Sequence, residues 1–165
     1  MMIRNAILAS GFLAMMVALP ASAQESRPVL AASTAQDIVA GCQAWAEEHA
    51  LNLVIAVYDQ GVDLKAYLRM DEAPYASIAI AQWKGEGAAG LGMTSAAVGG
   101  LAENNPAIYT TPALATLRGG VPIRTADGVL LGGVGVSGAS GADDELCAIA
   151  GVEAAGLTIS RPEAE

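Results

Sequence analysis

The run from Gly119 to Gly138, GGVPIRTADGVLLGGVGVSG, constrains the fold more than any other stretch of the chain. It places Val121-Pro122-Ile123-Arg124 before a polar turn and a long apolar run, Val129 to Val136, after it. Asp127-Gly128 sits in that turn, and Asp-Gly between apolar runs marks a β-hairpin because Gly tolerates φ > 0. Gly119-Gly120 and Gly138 with Gly141 punctuate the two ends. Asp143, Asp144 and Glu145 follow, and acids suit a helix's first turn, where free N–H groups favour negative charge. The unit predicted is hairpin, glycine turn and a helix over about Ala142 to Ala155.

Upstream, Thr34 to Ala50 reads as a helix with Thr34 as N-cap and Asp37 three residues on. Ile38, Cys42, Trp45 and His49 share one of its faces, which should meet a sheet. Leu51 to Tyr58 is rich in β-branched and apolar residues and reads as a central strand. Asp59-Gln60-Gly61 turns it into a second strand, Leu64 to Arg69. Pro74 suits the first helical position of a helix running to about Lys84, with Ser77, Ile80 and Lys84 on one stripe. Gly85, Gly87, Gly90 and Gly92 weaken whatever follows, since Gly costs about 1 kcal/mol in a helix interior. A short helix over Met93 to Leu101 and a loop-rich stretch to Gly120 precede the hairpin. Two hairpins with helices between and around them predict an α+β class with an antiparallel sheet.

The first 23 residues, MMIRNAILASGFLAMMVALPASA, carry a positive n-region at Arg4, an apolar h-region and an Ala-Ser-Ala cleavage site. They read as a secretory signal, so the expected location is periplasmic or secreted, with no membrane span after cleavage. Residues 24–33 then form a loose lead-in, 34–157 one domain, and 158–165 a frayed tail. The chain carries a formal charge of −9. That argues against a nucleic-acid partner, which needs a basic footprint, and against attraction to an anionic membrane surface. An anionic ligand therefore needs a local cationic recess. Cys42 and Cys147 are the chain's two cysteines. After export they are a disulfide candidate, and two small buried thiols are the alternative the residues leave open.

GGVPI, the spaced glycines of GVLLGGVGVSGASG, the acids before an Ala-rich helix, and VIAVYDQGVDLKAYLRMDEAPYASIAIAQWK upstream together resemble the GlcG/HbpS family, whose members are often labelled haem-degrading domains. The resemblance spans nearly all of residues 34–157. It implies a profilin-like α-β-α layering, homo-oligomers, and haem or a related tetrapyrrole as a small-molecule ligand. After Lys84 the chain departs from the family, with GEGAAGLGM in place of the usual Thr-Ala and aromatic pattern.

Arg69, Met70 and Asp71 flank the junction between the second strand and its helix, whose N-terminus offers free N–H groups to an anion. With Ser77 and Lys84 on that helix, they are the candidate ligand-binding residues. The resemblance adds weight, because Arg69-Met70-Asp71, Ala76-Ser77 and Lys84 match recurring family positions. Arg69 and Lys84 are then expected to meet a carboxylate, such as a haem propionate or a small organic acid. The competing reading is an Arg69–Asp71 surface pair with Lys84 in water. His49 is the chain's one histidine, and Met93 joins Met70 as a thioether; both are weak candidates for a metal. A histidine at a helix end is more simply explained by the helix dipole, and a Met by core filling. Gly133-x-Gly135-x-x-Gly138 matches a dinucleotide fingerprint, but no second parallel strand can follow it, so its glycines are expected to admit a close helix. No Ser-His-Asp set or reactive-Cys context is present, so whether the chain is an enzyme is left open. The rival functions are an accessory module for small carboxylates or a dehydrogenase, and a small enzyme acting on an organic acid.

Overall fold

The structure, a computed structural model, describes residues 26–161. The expected signal segment, 1–23, lies outside the described residues. The described chain runs α1 (Ala32–Glu48), β1 (Val54–Asp59), β2 (Leu64–Arg69), α2 (Ala76–Leu91), α3 (Ser95–Asn104), a 3-10 turn (Pro106–Thr110), β3 (Gly120–Arg124), β4 (Leu130–Ser137) and α4 (Gly141–Ala154). Both predicted hairpins form. They join through β1 and β4 into one antiparallel sheet in the order β2-β1-β4-β3. The fold is α+β, as expected.

Each side of the sheet buries its own apolar set. Ile55, Val57, Val121, Ile123, Val134 and Val136 face α1 and α4, with Ile38, Cys42, Cys147 and Val152 opposite them. Val54, Ala56 and Tyr58 face α2 on the other side. The alternation along β1 sends successive side chains to opposite layers, which is why Val54 to Val57 are all apolar. Cys42 and Cys147, both fully buried, are joined by a disulfide that ties α1 to α4 across 105 residues of sequence.

Several boundaries differ from the expectation, each for a packing reason. α1 begins at Ala32, inside the expected loose lead-in, with no side-chain cap at Ala31. Leu30 is 2% exposed and anchors that end in the core, so Thr34 is not needed as N-cap. α2 starts at Ala76 rather than at Pro74, and it does not stop near Lys84: it continues through Gly85, Gly87 and Gly90 to Leu91. The glycines that lower its helix propensity are what the sheet requires. Gly85 lies against Tyr58 and Gly135 without room for a methyl group. A Cβ at Gly133 or Gly135 would run into the backbone of α2. Close packing over two layers outweighs a local cost of about 1 kcal/mol per glycine. The helix ends at Gly92, in the left-handed conformation (φ 63°) that glycine adopts at little cost. Arg124, 3% exposed on β3, donates to the Gly92 carbonyl at 2.6 Å and to that of Gly128 at 3.0 Å. Thr158, at the start of the expected frayed tail, is pinned: it exchanges two backbone hydrogen bonds with Arg124, at 2.8 and 3.0 Å, and covers the outer edge of β3.

A substitution of Gly135 by Ala tests the close approach. The obstacles are main-chain atoms of Ala81 and Gly85, which cannot rotate away. The variant should lose about 3 kcal/mol in urea unfolding, the upper part of the range for overpacking. Gly100→Ala, where nothing lies within 4 Å of the added methyl, should be neutral or slightly stabilising.

Candidate functional site

Lys84 lies on α2 in a run made mostly of small and apolar residues, ASIAIAQWKGEGAAGL. It is 2% exposed, and its ammonium donates to Oδ2 of Asp144 at 2.8 Å and to the Val136 carbonyl at 2.8 Å. Asp144, in the first turn of α4, also accepts from the Ala139 N–H at 3.0 Å through Oδ1. The pair joins helices that pack on opposite sides of the sheet. Gly119 makes the passage possible: at φ 117° it has no Cβ to meet Asp144, the Val136 carbonyl or the Lys84 ammonium. Burial pushes the Lys84 ammonium below the ordinary lysine value, against the pull of Asp144. Burial likewise pushes the Asp144 carboxyl up, against the opposing effect of Lys84. In both residues desolvation is the larger influence.

A cavity of about 560 Å³ opens above this pair, within the range of small-molecule sites. Ser77 from α2 and Ser137 from the end of β4 stand in its wall, each 5% exposed. Ile80, Leu117 and Ala139 supply apolar surface. Arg118 lies at the rim, bound to Glu145 through Nε at 2.8 Å and a second nitrogen at 3.2 Å. The two cations differ in availability. Lys84 is desolvated and committed to a buried partner, whereas the Arg118 side chain is 55% exposed. Exposed pairs contribute little and are readily exchanged, so Arg118 is the cation that can turn to an incoming carboxylate.

The expected single recess around Arg69 and Lys84 does not form. Arg69, Met70 and Asp71 line a different cavity, of about 400 Å³, with Gln43, Glu47 and Asn52. The Arg69 guanidinium sits over the Tyr75 ring, 4.6 Å from its centre, in place of the surface pair with Asp71 that was the alternative. Ser77 and Lys84 do share a wall, but Lys84 is neither in water nor free to meet a ligand. His49 is exposed at the end of α1, its ring stacked on Trp45 at 3.9 Å and its Nδ1 2.7 Å from the Trp45 carbonyl. Met93 follows α2 in the link to α3 and lines neither cavity. Asp143 plays the expected helix-start role, within a cap in which Ser140 Oγ accepts from its N–H at 3.2 Å. Asp144, given the same explanation from sequence, is instead the counter-charge of Lys84. Sequence reasoning also missed Arg118, Leu117 and Ser137. A signal for Asp144 did exist: one Lys in an apolar, glycine-rich helix must bury a charge, and buried charges are paired.

With this geometry in view, residues 30–153 match the family described as haem degrading protein HbpS-like. Protein GlcG of Escherichia coli K12 is 35% identical over 114 residues, which cover 68% of this chain and 84% of GlcG. A double mutant of HbpS from Streptomyces reticuli is 28% identical with a TM-score of 0.75, over 85% of this chain and 96% of that one. The structure of a PduOC–haem complex shares the fold at 19% identity, TM-score 0.74, over 81% of this chain and all of that one. The extent of the family match and the GlcG identity agree: the chain belongs to the haem degrading protein HbpS-like family.

Proposed function

We propose that this protein is an exported binder of haem or a related tetrapyrrole, acting in haem handling, and that the ligand lies in the cavity beside Lys84. The observation that carries the reading is this cavity's combination of apolar wall and exchangeable cation, in a chain whose overall charge repels anions. Its residues suit the edges of the group. Leu117, Ile80 and Ala139 can lie on a macrocycle, and Arg118 can take a propionate. The second cavity is less suitable, because Glu47 and Asp71 there oppose an anion. The haem complex of PduOC supports the idea that this fold can seat the group. When bound, haem supplies redox and oxygen chemistry, and this chain's residues supply the binding.

Export belongs to the same proposal, supported by the signal-like first 23 residues and by a buried disulfide, which persists in oxidising compartments. Mass spectrometry of the protein from the cell envelope should find an N-terminus at Gln24. Homo-oligomers are also part of it; Trp83 and Tyr109, 49% and 58% exposed, are apolar surface that such contacts could cover.

Haemin titration is the direct test. A saturable Soret band should appear, and Arg118→Glu should weaken binding by about tenfold, since one charge-assisted contact turns repulsive. If Arg69→Glu has that effect and Arg118→Glu has none, the ligand belongs in the second cavity. Absence of a band, with small carboxylates raising the melting temperature instead, would replace this reading with the small-acid module.

A further inference from the structure

We infer that the cavity beside Lys84 holds a tetrapyrrole by its carboxylates and ring faces and gives no ligand to a central metal, so that metal-free and metal-loaded porphyrins bind alike. This rests on the preceding assignment of the cavity as the tetrapyrrole site. Proteins hold haem iron with imidazole, thiolate, thioether or phenolate groups. The wall offers none of these among the described residues; its polar groups are the hydroxyls of Ser77, Thr116 and Ser137, the Arg118 guanidinium and the Lys84–Asp144 pair.

Among the described residues, no histidine, cysteine, methionine or tyrosine lines this cavity. His49 is stacked on Trp45 at the end of α1. Both cysteines are consumed in the disulfide, so no thiolate is available among the described residues. Met70 lines the second cavity. The Tyr58 hydroxyl donates to Glu86 at 3.2 Å between α2 and the sheet. A lysine amine is a further possible donor, but Lys84 spends its ammonium on Asp144 and the Val136 carbonyl. What remains is recognition by charge and shape: a guanidinium for the carboxylates and apolar side chains for the ring. Neither depends on what the ring encloses.

The experiment compares haemin, metal-free protoporphyrin IX and its dimethyl ester against the purified full-length protein, by Trp fluorescence quenching and porphyrin emission. Haemin and the metal-free diacid should have dissociation constants less than about tenfold apart, and the ester should bind more weakly than both. Arg118→Glu should weaken both diacids by the same factor, while His49→Ala and Met70→Leu leave the haemin Soret position unchanged. Haemin binding tighter than the metal-free ring by about tenfold or more, or a Soret shift in His49→Ala or Met70→Leu, would overturn the inference and leave the binding assignment standing. Failure of haemin and the metal-free diacid alike would remove the assignment as well.

Discussion

Reducing the Cys42–Cys147 bond should lower the unfolding free energy by about 4–5 kcal/mol, since in the chain-entropy model a crosslink closing a loop of roughly this length stabilises by that amount. Few natural domains have much more than about 5–15 kcal/mol in total, so the reduced chain should unfold at low urea concentration. The position of the bond enlarges the effect. Both cysteines are fully buried, and α1 and α4 approach so closely there that Gly41 and Gly151 have no room for a methyl group. Urea unfolding of the oxidised protein, the reduced protein and Cys42→Ala/Cys147→Ala checks this. If the reduced and oxidised midpoints coincide, the crosslink has no role in holding α1 on α4. The prediction also bears on location, because a domain so dependent on its disulfide folds stably only where thiols are oxidised.

The second large effect concerns the buried ion pair. Lys84→Met alone leaves the Asp144 carboxylate 2% exposed with no cation, and should cost about 3–5 kcal/mol. Asp144→Asn alone leaves the ammonium in the same state and should cost as much. The double variant Lys84→Met/Asp144→Asn should recover most of the loss. It removes both charges, keeps a side-chain oxygen for the Ala139 N–H, and avoids the desolvation that a buried pair repays poorly. Additive costs in the double-mutant cycle would mean that the two residues do not act on each other.

The pH dependence has a definite sign. Asp144 is raised, so between the ordinary aspartate value and its native one the folded state keeps a proton that the unfolded chain has released; stability falls as pH rises through that window. Lys84 is lowered, so between its native value and the ordinary lysine value the unfolded chain holds the extra proton; stability rises with pH there. The pair's contribution is therefore least favourable between the two windows. The double variant should lack both slopes when its urea midpoint is followed against pH.

Much of the site was legible only in pieces. Lys84 could be placed on an inward stripe from its spacing to Ser77 and Ile80. Arg69 could be placed at the end of a strand that the structure bounds at the same residue. Their relation could not be read, because it depends on which side of the helix meets the sheet. Lys84 turns under Gly119 towards α4, and Arg69 stays on the surface beside Tyr75. Asp144 was read by its local surroundings, the first turn of a helix, since its true partner lies 60 residues away in sequence. Arg118 stood in a loop with no periodicity to mark it.

The sequence by itself determined the two hairpins, the alternation of the strands, the helix after the last glycine turn and the family. These follow from local rules: turn glycines, a two-residue strand period and a helical stripe. The length of α2 through its glycines, the pairing of Lys84 with Asp144, the separation of Arg69 from both and the pinning of Thr158 were settled by tertiary structure. The physical reason is common to all four. Each depends on how close two distant backbones come, and only the assembled layers set that distance.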